Sequence, residues 1–245
     1  MANFQTHVTF STVLGVGYAG AGMLAGAPVD TSLVAGGLCG ISGMLPDIDS
    51  GPGRPLRESM GFAAAVIPMM LIDRFQQLGL TPEMMVLVGG AIYFSIRFGM
   101  AAVLRKFSVH RGMWHSIPVA IVFAEVAFLM ASRDLGLRYY KAGGVLLGVM
   151  SHLLLDEIYS VQMTRGRVKL KSSFGTAIKF WGKSMAANVV AYALLIGVTA
   201  AVLGEPMMMD ALGKPAYQDY LEIARERAQA AETAAAQAAE NVLRR

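Results

Sequence analysis

Only four histidines occur among the 245 residues, and each stands at the border of an apolar run. His7 precedes the first run. His110 and His115 sit in "HRGMWHS", before the fifth. His152 lies near the end of the sixth, with Asp156 four residues later in "SHLLLDE". Asp47 and Asp49 follow the second run, in "LPDIDSG". Imidazole nitrogen and carboxylate oxygen together are the ligand set of Zn²⁺, Mn²⁺ and Fe, whereas Mg²⁺ prefers oxygen alone. Their spacing suits ligation. Residues i and i+4 share a helical face, so His152 and Asp156 point the same way. Residues i and i+2 share a face of an extended chain, so an extended "PDID" would present both carboxylates together. His110 and His115 are too far apart for one helical face, but Gly112 permits a turn that folds His110 back while His115 rides the start of a helix. The expected metal set is therefore His7, Asp47, Asp49, His110, His115, His152 and Asp156. It would hold one to three ions, zinc first, with manganese or iron as alternatives. One carboxylate, Asp49 or Asp156, is free to act as general base or to orient a histidine. Arg111, between two histidines, is the candidate transition-state cation. The competing readings are structural: Ser116 as a helix cap rather than a nucleophile, Trp114 as an interfacial anchor, and Arg97 with Glu125 as an interhelix ion pair.

The elements that must position these groups are written in the composition. The chain is 55% hydrophobic and 16% charged, with mean hydropathy +0.50. A soluble domain carries about 25% charged residues, so the apolar surplus points to lipid as solvent. Seven apolar segments, roughly 8–28, 31–46, 60–73, 82–104, 115–131, 139–158 and 184–204, are separated by Gly, Pro and Asp turns. Several are short for a full crossing. The expected fold is an all-α polytopic membrane bundle of about five to seven hydrophobic helices, with a solvated C-terminal helix. Thr81 and Pro82 should start the fourth segment as cap and first residue. The N-terminal stretch lacks the basic leader region of a signal peptide and is expected to be a retained first membrane helix. Residues 1–204 form the expected membrane domain. Residues 205–245 form a charged, Ala-rich tail, a candidate for homo-oligomerisation through Leu221 and Ile223. Cys39 is the single cysteine and can form no intrachain disulfide.

If all seven segments cross, loops on the N-terminal side carry eleven Lys and Arg residues, among them Arg54, Arg57, Arg111, Arg167 and Lys179. The opposite loops carry four: Arg74, Arg133, Arg138 and Lys141. The asymmetry predicts that the N-terminal side, with every histidine, faces the cytoplasm of an inner-membrane protein. Arg165, Arg167, Lys169 and Lys171 alternate. As an extended basic edge they would orient the protein or capture the phosphate of a phosphorylated or lipid-linked substrate. Nucleic acid is disfavoured because aromatic interleaving is sparse. Transport is disfavoured because only Arg97 and Glu125 are ionisable deep in the apolar runs.

The ordered set "PDID", "HRGMWHS" and "SHLLLDE", interleaved with apolar helices and preceded by "TH", resembles the YdjM/YbcI family of inner-membrane-associated, metal-dependent hydrolases over roughly residues 5–160. The resemblance implies a membrane-bound fold, a hydrolase activity and the seven metal-site positions named above. The His-x-x-x-Asp helix is also similar to zinc phospholipase C and related all-helical zinc nucleases. The basic segment "TRGRVKLKSSFGTAIKFWGK", which contains no proline, departs from the family pattern. The expected activity is metal-dependent hydrolysis of a phosphoester at the cytoplasmic membrane face. The alternative is a non-enzymatic membrane metal-binding or scaffold protein with the Ala-rich tail as its interaction element.

Overall fold

The computed structural model describes residues 3–49, 54–100, 102, 113–131, 134–164, 167–170, 175, 177–213, 226 and 229. Their regular structure is helical apart from one short hairpin. Asn3 starts the first helix, α1 (Phe4–Leu24), by accepting a 2.8 Å hydrogen bond from the Thr6 N–H, one of the donors that a helix start leaves without a partner. Helix α2 (Val29–Ser42) returns alongside it and gives way to a 3₁₀ turn, Leu45–Asp49. Helix α3 (Arg54–Met70) and the short α4 (Ile72–Gln77) lead to α5 (Pro82–Phe94), which continues as a π turn over Ser95–Met100. As expected, Pro82 opens α5 and the Thr81 hydroxyl accepts from the Met84 N–H at 3.3 Å. Helices α6 (Ile117–Met130) and α7 (Leu135–Ile158) follow, then strands β1 (Val161–Thr164) and β2 (Arg167–Leu170), then α8 (Met185–Leu203) and α9 (Pro206–Ala211).

The centre of the fold is a packet of α1, α2, α6 and α7. Small residues make it close. A Cβ added to Gly36 would lie 2.5 Å from the Gly15 carbonyl oxygen and 2.9 Å from the Ala19 Cβ, so α1 and α2 touch backbone to backbone. Gly148 of α7 likewise lies against the Cys39 carbonyl and the Ser42 hydroxyl of α2. In lipid there is no hydrophobic drive between helices, and close backbone contact of this kind is a main source of association. Tyr18 and Tyr140 clamp α1 to α7. Each hydroxyl donates to the other residue's carbonyl, at 2.8 and 2.9 Å, and the rings stack at 4.8 Å. Ala120, Ala127, Val145 and Val149 bury the α6–α7 seam. A second cluster, Leu56, Met60, Ala64 and Ile96, packs α3 against the π turn.

Among the described residues two helices are long and apolar enough to cross a membrane: the continuous helix Pro82–Met100 and Met185–Leu203, of 19 residues each. At about 1.5 Å per residue each spans about 28 Å, against about 30 Å of bilayer hydrocarbon. Their flanks are open, with Val86 74% and Ile196 68% exposed. Such apolar surface is a liability in water and the expected outer face in lipid.

Two compact units divide after Thr199. The second holds the end of α8, then α9, then Gly213 at φ 64°, a left-handed value that glycine adopts without strain. Beyond Gly213 the described residues of the expected tail are Glu226 and Gln229, both helical; Leu221 and Ile223 lie outside the described residues.

The structure corrects three sequence expectations. Glu125 does not pair with Arg97: its Oε1 accepts from the Thr199 hydroxyl at 2.7 Å, while Arg97 lies over the Phe98 ring at 5.9 Å. Arg74, Arg138 and Lys141 are not in loops: Arg74 stands in α4, and Arg138 and Lys141 in α7. Asp134 caps α7 by accepting from the Leu137 N–H, which places Arg138 in the first turns, buried, 5.7 Å from the Phe128 ring. The third correction concerns the "PDID" segment and is described with the site.

Candidate metal centre

Five of the expected residues meet at one end of the α1–α2–α6–α7 packet. His7 stands in the second turn of α1, Asp47 in the 3₁₀ turn after α2, and His115 just before α6. His152 and Asp156 stand in the last turns of α7. Alternation of helix direction produces this convergence. Helices α1 and α6 begin where α2 and α7 end, so the borders of four distant segments share one depth.

The distances are those of a ligand cluster. The Asp47 Oδ1 lies 3.7 Å from the Nε2 of both His115 and His152. The Asp156 Oδ2 lies 4.0 and 3.8 Å from the same two nitrogens. The other Asp156 oxygen is 3.2 Å from the His7 Nε2. His7 and His152 stack at 3.6 Å with planes 13° apart. Two overlapping groups satisfy the proximity that a single ion requires: His7, His152 and Asp156, and Asp47, His115 and His152.

The cluster is dry. His7, His115, His152 and Asp156 are each at most 4% exposed, and only the Asp47 side chain, at 16%, has an opening to solvent. Burying a carboxylate costs many kcal/mol unless it is paired. Yet the His152 Nε2 and both Asp156 oxygens, all buried, lack a hydrogen-bond partner. The approaches of 3.2–4.0 Å are therefore electrostatic, not hydrogen-bonded. Lone pairs aimed into a common space and left without donors fit a cation. A tetrahedral shell at 2.0–2.2 Å has ligand–ligand edges of about 3.3–3.6 Å. The four carboxylate–imidazole edges measure 3.7–4.0 Å, so a contraction of about half an ångström closes them on a transition ion.

The outer contacts agree. The His152 Nδ1 lies 2.7 Å from the Gly43 carbonyl, one of the acceptors that the end of α2 leaves free. Donation from Nδ1 fixes the tautomer and leaves the Nε2 lone pair facing the acids. The sequence reading missed Gly43. The signal lay in "SGMLP", where a glycine and a proline three residues apart mark a helix end with spare carbonyls. At Asp47 burial raises the carboxyl's pKa. The His115 imidazole 3.7 Å away and the fields of His152 and His7 outweigh it and hold the group below the usual carboxylate range.

The remaining expected residues are placed as follows. "PDID" is a 3₁₀ turn, not an extended segment. At three residues per turn, positions 47 and 49 lie about 120° apart around the axis, so the argument for a shared face fails. The Asp49 side chain, His110 and Arg111 lie outside the described residues. Ser116 occupies the N-cap position of α6 but caps no N–H; its hydroxyl turns back to the Met113 carbonyl. Trp114 stacks on Phe123 at 5.8 Å. Arg167 and Lys169 occupy alternate positions of β2, opposite Thr164 and Gln162, as the extended reading requires; Arg165 and Lys171 lie outside the described residues.

A family model described as YdjM inner membrane protein matches residues 1–204. Searches of curated proteins and of solved structures gave no significant match.

Proposed function

The chain belongs to the YdjM inner membrane protein family, and from that premise we propose that it is a multi-pass, metal-dependent hydrolase acting on a phosphoester at the cytoplasmic face. The observation that carries the reading is the buried His152 Nε2 and Asp156 carboxylate, without hydrogen-bond donors, at the meeting point of four helix ends. His115, His152, Asp47 and Asp156 hold the ion, with zinc as the first candidate and manganese or iron as alternatives. When bound, the ion supplies Lewis acidity and a nucleophilic water that ionises near pH 7. One imidazole nitrogen serves one ion. A second ion would be held on the His7 and Asp156 side of the cluster. Asp49, two residues past Asp47, is the candidate general base. His110 is a further candidate ligand, and Arg111 is the candidate cation for the phosphoryl oxygens; both lie within five residues of His115 in the sequence.

Alternating helix directions support crossings beyond the two long apolar helices, and the basic loops at the site end support its cytoplasmic placement. The test uses full-length protein in detergent. Elemental analysis should return bound transition metal, and a generic phosphoester should be cleaved with added Zn²⁺ or Mn²⁺. His152→Ala and Asp156→Ala should lose both. Cleavage that survives both substitutions discards the mechanism. Metal without cleavage leaves the non-enzymatic metal-binding reading.

A further inference from the structure

Four of the five residues at the metal centre stand on helix: His7, His152 and Asp156 on α1 and α7, and Asp47 on the 3₁₀ turn. His115 stands on the irregular backbone of residues 113–116, outside the ladder of hydrogen bonds that fixes the other four. Ser116 gives α6 no side-chain cap. The first N–H of that helix, from Ile117, donates instead to the Lys179 carbonyl at 3.0 Å. Lys179 belongs to "AIKFWGK", the stretch between the hairpin and α8. Helix α8 holds this stretch. The Asn188 side-chain amide, only 1% exposed, pairs with both backbone groups of Gly182. Its Oδ1 accepts from the N–H at 2.7 Å, and its Nδ2 donates to the carbonyl at 2.9 Å. The Tyr192 hydroxyl donates to the Phe180 carbonyl at 2.9 Å. Gly182 in turn abuts the turn that carries His115: a Cβ there would lie 3.2 Å from the Met113 Sδ. Upstream, the Gly175 N–H donates to the carboxylate of Glu157, the neighbour of Asp156.

Met113 and Ile117 bracket His115, two residues away on either side, so both contacts bear on it. We propose that residues 177–182 are a strap that fixes His115 for the metal, and that Asn188 is the positioning residue that locks the strap. The inference rests on the metal-site reading and adds to it a residue outside the ligand set. The physical reason is the pairing. A buried amide that bonds both the N–H and the C=O of one residue holds that backbone in one orientation, and its loss leaves two polar groups without partners. A ligand must be held to within about 0.5 Å of its working position. Groups that orient a ligand from outside the coordination shell typically contribute tenfold to a hundredfold in metal affinity.

The test uses full-length protein in detergent. Zinc affinity is measured by chelator competition, and Co²⁺ is loaded in place of zinc because its visible absorption reports the number and arrangement of ligands. Asn188→Leu keeps the volume and removes both hydrogen bonds. It should weaken zinc about tenfold and move the Co²⁺ spectrum toward that of His115→Ala. In a His115→Ala background it should bring no further loss, because the two changes act through one ligand. Tyr192→Phe removes a hydroxyl and little volume. It should act the same way to a smaller extent, and it carries the test if Asn188→Leu fails to fold. Thr199→Val is the control for a purely structural role. It removes another hydrogen bond of α8, about 16 Å further along the helix, and should lower the melting temperature while zinc affinity and the Co²⁺ spectrum stay unchanged. Zinc affinity unchanged by Asn188→Leu, or lost equally with and without His115, overturns the proposal. So does an equal loss in Thr199→Val. A wild type that binds zinc but cleaves nothing sinks the hydrolase reading alone, since the affinities still decide this inference. A wild type that binds no metal sinks both.

Discussion

Asp156→Asn separates a metal ligand from a structural ion pair. The substitution keeps the shape of the side chain and removes one negative charge that lies within 3.2–4.0 Å of three imidazoles. A unit charge at 4 Å is worth about 4 kcal/mol at an effective dielectric of 20. An ion loses at least that from one of its two carboxylates, about a thousandfold in affinity. The sign of the stability change discriminates further. If Asp156 serves an ion, its carboxylate is buried and lacks hydrogen bonds once metal is stripped. Neutralising it should then leave the melting temperature of the stripped protein unchanged or higher. If Asp156 instead holds protonated histidines in a metal-free salt bridge, breaking it should cost about 3–5 kcal/mol with or without chelator. The assay is thermal unfolding in detergent with and without EDTA, beside a competitive titration of metal against a chelator. Wild type should be stabilised by metal and Asp156→Asn should not. Equal destabilisation in EDTA, or an unchanged metal affinity, refutes the reasoning.

Metal retention should fall as pH drops through about 6.5, because each imidazole must be neutral to ligate and protons then compete. Asp47 should not contribute to that loss. Its carboxyl is held below the usual range, so its binding contribution is present at neutral pH and disappears only on further acidification; elemental analysis after dialysis across pH 4–8 reads both. Gly148→Leu should destabilise the α2–α7 seam by about 1–3 kcal/mol through overpacking against Cys39 and Ser42, measured as a lower melting temperature, whereas Gly37→Leu should not. Thr199→Val removes the donor to the Glu125 carboxyl and should cost about 1–3 kcal/mol; an unchanged melting temperature would show that Glu125 has another donor. A reporter fused after residue 160 should read cytoplasmic, and a periplasmic signal would reverse the orientation.

Local spacing carried a good deal of this. The i,i+4 relation of His152 and Asp156, the Thr81–Pro82 helix start and the extended stretch at Arg167–Leu170 depend on neighbouring residues alone, and sequence determines such geometry directly. So does membrane character, a property of composition, and so does the grouping of histidines at segment borders, which follows from where the apolar runs end. Tertiary structure decided what depends on partners distant in the chain. The 3₁₀ path of "PDID" is set by how α2 ends against α7. Glu125 pairs with Thr199 and not Arg97 because helix packing, not charge, determines which side chains share a depth. Gly43 orients His152 across a sequence separation of 109, and no periodicity encodes that. The α1–α2 contact depends on Gly15 and Gly36 meeting backbone to backbone. A sequence displays the small residues, but only the packed helices reveal which of them face one another.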